Sequence, residues 1–144
     1  MSNINVMDAS AVLAYLQGEP GAELLEEAFD QRPSWMSCVN YCETIGKLSE
    51  KGMPLDQAAA AIAALGLRLA DFDPPLAMQA AAMRKVTIPI GASLGDRACL
   101  ALAQKLLMDA YTPIVFTADQ SWTRLKWPFD IVLTRPALRR SGIR

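Results

Sequence analysis

The sequence predicts an α/β fold: a three-layer α/β/α domain in which helices cover both faces of a central parallel sheet. Short apolar runs of strand length alternate with helix-length periodic segments, the order that produces parallel β-α-β units. A length of 144 residues falls in the size range of one compact unit, so residues 1–144 are expected to form a single domain. With 52% of residues hydrophobic and 20% charged, the chain has the material for a core, and wholesale disorder is excluded.

Residues 4–7 form an apolar run that ends at Asp8, and a helical pattern follows through Ala11, Val12, Tyr15 and Leu16 until Gly18 and Pro20 stop it. A second helix is expected over residues 22–29, a short strand over 34–36 after Pro33, and a helix over about 39–51 closed by Gly52. Pro54 suits a first helical turn, and the alanine-rich stretch 55–65 reads as a closely packed helix ending at Gly66. Alternation over 67–72 predicts a strand, Pro74 and Pro75 open a helix reaching Val86, and a loop over 87–95 leads into a long apolar helix ending near Met108. Residues 113–117 read as a buried strand, 119–125 as a short helix and 129–133 as the last strand. The chain shows no internal repeat, no Gly/Ser linker and no glycine-rich phosphate loop, so a nucleotide cofactor is not expected.

The residue inventory narrows the chemistry. Without histidine there is no Ser/His/Asp triad, no Cys/His pair and no usual zinc site, which leaves carboxylates to carry any catalysis. Cys38, Cys42 and Cys99 are odd in number and sit in helical apolar patterns, as reduced core cysteines do. No apolar run approaches the roughly 20 residues that span a bilayer, and the first residues lack the pattern of a signal peptide, so a cytoplasmic protein without membrane contact is expected. The formal net charge of −1 conceals an uneven distribution. From Gln120 onward Asp130 is the one acid, while Arg124, Lys126, Arg135, Arg139, Arg140 and Arg144 are basic and could face phosphate or an acidic partner.

Asp8 and Asp119 each stand just after an apolar strand, and in an open parallel sheet ligands gather beyond the carboxyl ends of the strands. Either could instead be an N-cap, which stabilises a helix by about 1 kcal/mol; for each residue alone the two readings are evenly matched. Asp96 follows Ser93 by three and so resembles a capping box. At about 100° per residue, however, it shares a helix side with Cys99, Leu100, Ala103 and Leu107, opposite Arg97, Gln104 and Lys105. A carboxylate facing the protein body needs a cation or several hydrogen bonds to offset its burial, which favours a bound metal over capping alone. Glu43 borders the apolar face of its helix, and taken alone a salt bridge to Lys47 is the simpler reading. Together the four acids suit magnesium, a hard cation that prefers carboxylate oxygens, retains water and bridges to phosphate. The corresponding reaction is phosphodiester hydrolysis by metal-activated water.

The segments Val6-Met7-Asp8-Ala9-Ser10-Ala11, Val39-Asn40-Tyr41-Cys42-Glu43, Ser93-Leu94-Gly95-Asp96-Arg97-Ala98-Cys99-Leu100-Ala101-Leu102-Ala103 and Thr117-Ala118-Asp119-Gln120-Ser121-Trp122 resemble, in order and spacing, the PIN-domain blocks of VapC-type toxins. The resemblance implies a Mg2+- or Mn2+-dependent endoribonuclease, the toxin of a type II toxin–antitoxin system, restrained by a small cognate antitoxin and expected to form a homodimer. Carried over by position, it makes Asp8, Glu43, Asp96 and Asp119 the catalytic and metal-ligating quartet, with Thr117 a supporting hydroxyl near Asp119.

Arg97, Arg139 and Arg140 are candidate RNA contacts, with a solvated surface arginine the equal alternative. Trp122, Trp127 and Phe129 could stack on bases but read better as core, and Cys38 and Cys42 read as core rather than as ligands. Two other functions compete: a noncatalytic module acting through protein partners, and a receiver or haloacid-dehalogenase-like phosphoryl-transfer domain.

Overall fold

In the computed structural model, which describes residues 2–135, five strands and seven α-helices alternate along the chain. They are β1 (Asn3–Met7), α1 (Ala9–Leu16), α2 (Ala22–Gln31), β2 (Ser34–Ser37), α3 (Cys38–Glu50), α4 (Leu55–Ala63), β3 (Arg68–Ala70), α5 (Pro74–Ala82), α6 (Arg84–Thr87), α7 (Leu94–Met108), β4 (Thr112–Thr117) and β5 (Asp130–Leu133). Single 3-10 turns lie at Ile88–Ile90 and Gln120–Arg124. No helix among the described residues is long and apolar enough to cross a membrane.

The strands form one parallel sheet in the order β3-β2-β1-β4-β5. The expected three-layer arrangement is present because the pleat sends alternate side chains to opposite faces. Ile4, Val6 and Val115 pack with Leu76 and Ala80 of α5 and with the apolar positions of α7. Met7, Met36 and Phe116 pack on the other face with α1, α2 and Ile62 of α4. Asn5 interrupts the apolar run of β1 yet is fully buried, donating to the Ala28 carbonyl at 2.8 Å and to Ser34 Oγ at 3.0 Å while accepting from Arg32 Nε at 2.9 Å. It therefore fastens the central strand to α2 and β2. The sheet order reverses between β1 and β4, opening a crevice at their carboxyl ends.

Several local expectations need correction. The strand expected over 67–72 shrinks to Arg68–Ala70, because β3 is an edge pairing with β2 alone over three residues. The helix expected from Pro74 to Val86 is interrupted at Met83, and within the expected loop Pro89 and Gly91, at φ 61°, make and close a 3-10 turn. The short helix after Asp119 is 3-10 rather than α. Most important for the site, α7 is not one-sided. Arg97, placed on the solvent side from periodicity, is buried under α5, where its Nη1 donates to the Ala80 carbonyl at 3.1 Å.

The three cysteines are free thiols, with Cys99 buried as expected and Cys38 half-buried, whereas Cys42 is exposed and is not a core residue. Trp122 and Phe129 are buried, and Trp127 stacks on Phe129 with centroids 5.8 Å apart while donating Nε1 to the Trp122 carbonyl. These aromatics are packing residues.

Candidate active site

Asp8 sits at the bottom of the β1–β4 crevice. Its backbone is extended, and its side chain makes no cap bond to α1. The Ser10 hydroxyl donates to Oδ2 of Asp8 at 2.7 Å instead, and the Thr117 hydroxyl donates to the same oxygen at 2.9 Å. Asp8 thus holds the N-cap position of α1, but capping alone does not account for its side chain. Each hydroxyl also accepts a backbone N–H, from Ala118 for Ser10 at 2.9 Å and from Asp119 for Thr117 at 3.1 Å. The residue as a whole is 6% exposed. Burial lifts its pKa to about 6, the hydroxyl bonds pull it down, and the negative charge of Asp96 lifts it again.

Glu43 lies in the second turn of α3, above the start of α7. Asn40, entirely buried, donates Nδ2 to Glu43 Oε1 at 3.0 Å and to the Gly95 carbonyl at 3.0 Å, tying the two helices at this level. A Cβ at Gly95 would overlap the Glu43 carboxylate, so glycine here gives the acid room to lie against α7. The simpler reading of Glu43, a salt bridge to Lys47, does not hold. Among the described residues the ion pair is Lys105–Asp109 on α7.

Asp96 does form the capping box with Ser93. Ser93 N–H donates to Asp96 Oδ2 at 2.9 Å, and Asp96 N–H donates to Ser93 Oγ at 3.2 Å. Even so, burial pushes its pKa up against those hydrogen bonds, and the charge of Asp119 adds to the rise. Asp119 caps the Gln120–Arg124 turn, accepting from Ser121 N–H at 2.9 Å and from the Ser121 hydroxyl at 2.6 Å. For these two residues the cap is real, and it fixes where the carboxylate stands.

The four acids come from Asp8 after β1, Glu43 on α3, Asp96 on α7 and Asp119 after β4, and their fields overlap. Cys99, fully buried one turn beyond Asp96, has its thiol pushed well above the usual range by burial and by the charges of Asp8, Asp96 and Glu43. Asp119 joins through its effect on Asp96. Among the described residues no three acidic or cysteine side chains are close enough to grip one cation together. Among the described residues none of the four carboxylates forms a salt bridge, although the charge of Arg97 pulls the pKa of the Asp96 carboxyl down.

Thr117 stands between Asp8 and Asp119, bonded to both. Ser10, Asn40 and Gly95 receive no site role from the sequence, although each leaves a trace. Ser10 is two residues from Asp8, a spacing at which a hydroxyl reaches back; Asn40 is one turn before Glu43; and Gly95 is a poor helix former inside a helix. Arg139 and Arg140 lie outside the described residues.

The family model for the PIN domain matches residues 6–128, and the chain belongs to that family. Its membership sets aside the receiver and haloacid-dehalogenase-like alternatives. No curated protein matches the sequence. Among solved structures, a toxin-antitoxin complex from Klebsiella pneumoniae is similar with a TM-score of 0.65 at 17% identity, over 94% of this chain and 98% of that one. VapBC2 from Rickettsia felis, bound to a DNA fragment from its promoter, is similar with a TM-score of 0.66 at 14% identity, over 90% and 98% of the two chains. VapBC-1 from nontypeable Haemophilus influenzae gives 0.62 at 16% identity, over 91% and 98%. At such identities these likenesses concern the fold.

Proposed function

We propose that this PIN-domain protein is a divalent-metal-dependent endoribonuclease and the toxin of a toxin–antitoxin pair, with Asp8, Glu43, Asp96 and Asp119 as its acidic quartet. The observation that carries the reading is four carboxylates in overlapping fields, none of them in a salt bridge among the described residues, one of them buried enough to titrate near pH 6. Such an arrangement is unfavourable in the protein alone and becomes favourable with a cation.

The donors fit magnesium or manganese: all are oxygens, and histidine is absent from the chain. Magnesium is held through one or two carboxylates and keeps several of its waters, so a set too open to grip an ion with three side chains still suits it. Asp8 and Asp96 would hold it directly, with Glu43 and Asp119 acting through water. When bound, such an ion supplies a nucleophilic water at neutral pH and offsets charge developing on the phosphate.

The chain's own groups do the positioning. Ser10 and Thr117 hold Oδ2 of Asp8 in a fixed direction and favour its ionised form. Ser93 and Ser121 fix Asp96 and Asp119, and Asn40 seats Glu43 beside the Gly95 backbone. Similarity to toxin-antitoxin complexes supports a cognate antitoxin as partner and, with the family, RNA as substrate.

The test is to incubate the purified protein with a mixed RNA pool and manganese beside an Asp8→Asn control. Cleavage leaving 5′-phosphate and 3′-hydroxyl ends, absent in the control, is expected. Cyclic phosphate ends, or equal cleavage by Asp8→Asn, would contradict the reading.

A further inference from the structure

Among the described residues Arg97 is the one basic side chain that is buried, at 9% exposure. Its Nη1 donates to the Ala80 carbonyl, its Nε is sealed from solvent, and among the described residues that Nε has no hydrogen-bond partner and no carboxylate forms a salt bridge with the side chain. A guanidinium keeps its charge at any working pH and offers five donors in a planar fork. Its charge is felt by the neighbouring Asp96 carboxylate, whose pKa it pulls down, but no salt bridge closes on it, and burying a guanidinium without a bonded anion is unfavourable.

The same side chain lines a pocket of about 380 Å³ together with Arg84, Thr87, Gly91 and Ser93. No acidic residue lines this pocket. It opens at the N-terminus of α7, a fifteen-residue helix whose end the Asp96 carboxylate caps, so the positive charge of the pocket comes from its two arginines. Ser93 donates its N–H to Asp96 and also lines this pocket, so it joins the acidic site to the basic one.

We propose that the pocket is a phosphate subsite, in which Arg84 and Arg97 take an RNA phosphate neighbouring the one at the acidic quartet. The proposal rests on the endoribonuclease reading for its ligand. Arg97 supplies a fixed guanidinium oriented by Ala80, and Arg84, on the short α6, supplies an exposed one at the rim. A chain of phosphates laid across Ser93 would then meet a cation-hungry site on one side and a cationic pocket on the other.

The experiment uses the full chain with Asp8→Asn to prevent cleavage, and a fluorescein-labelled single-stranded RNA of mixed sequence followed by anisotropy over a salt series. Adding Arg84→Gln should weaken binding roughly five- to tenfold and make the slope of log affinity against log salt shallower by about 0.7, one phosphate contact's worth for a single strand. Arg97→Lys, which keeps the charge but loses the fork, should also weaken binding. In a second arm, inorganic phosphate should raise the melting temperature above chloride at equal ionic strength, and Arg84→Gln should remove that gain.

Unchanged RNA affinity and slope in Arg84→Gln would overturn the subsite. If phosphate still protected the parent protein in that case, the pocket would be a free-anion site rather than an RNA one. Cleavage by the wild-type chain is scored separately, so Arg84-dependent RNA binding without cleavage would sink the nuclease reading and leave the subsite standing.

Discussion

The Thr117 hydroxyl, at the end of β4, donates to Oδ2 of Asp8 at 2.9 Å across 109 residues of sequence. This bond closes the crevice where the sheet order reverses, and through the N–H of Asp119 it passes the position of one acid to the next. The predictions below follow from treating Asp8 as a buried carboxylate held ready for a cation.

Asp8 keeps its proton more tightly in the folded chain, up to about pH 6, than an exposed aspartate with its ordinary value of 3.8. Its contribution to stability is therefore present in full below pH 4 and is lost as pH rises through about 6. The ionised group then costs on the order of 3 kcal/mol at pH 7. Asp8→Asn can still accept both hydroxyls and should be more stable than wild type in chelator at pH 7.5, with the gap closing at pH 4. Urea unfolding at the two pH values measures this, and a pH-independent gap would contradict it.

Thr117→Val removes a donor to the ionised form of Asp8, a bond in the class that contributes roughly 1.5–3 kcal/mol. The Asp8 carboxyl should then titrate above its present value of about 6, and Ser10→Ala should act in the same direction. Carboxyl-carbon NMR of Asp8 across pH reads the change directly. An unmoved titration would mean the hydroxyls do not set the charge state.

Gly95→Ala places a methyl where the Glu43 carboxylate lies. The obstacle is the far end of a flexible side chain, and alanine favours a helix over glycine by roughly 1 kcal/mol, so stability should change by no more than about that amount. Cleavage should nevertheless fall at least tenfold, because Glu43 must leave its seat beside α7. Full activity in a well-folded Gly95→Ala protein would remove Glu43 from the site.

The parallel sheet was legible because residues 4–7, 34–36 and 113–117 are runs whose flanking turn residues mark their ends. Asp8 and Asp119 could be placed at one crevice by topology before any side chain was seen. Periodicity gives α7 one side facing the protein body, and the second is not legible. Its second side is covered by α5, a tertiary event with no local signature, so periodicity sets Arg97 opposite the core side, as an RNA contact or a solvated arginine, although it is buried. Asn40 and Ser10 receive no site role from the sequence for a related reason. Their partners, Gly95 and Ala118, are distant in sequence, and only the fold makes them neighbours.

The most direct test of the central claim is manganese binding at pH 7.5, followed by loss of the free-ion signal in electron paramagnetic resonance, for the wild-type chain and Asp8→Asn. Wild type should take up the ion, binding should weaken as pH falls through about 6, and Asp8→Asn should bind at least tenfold more weakly. Equal uptake by the two proteins, unaffected by pH, would show that the carboxylate after β1 holds no metal.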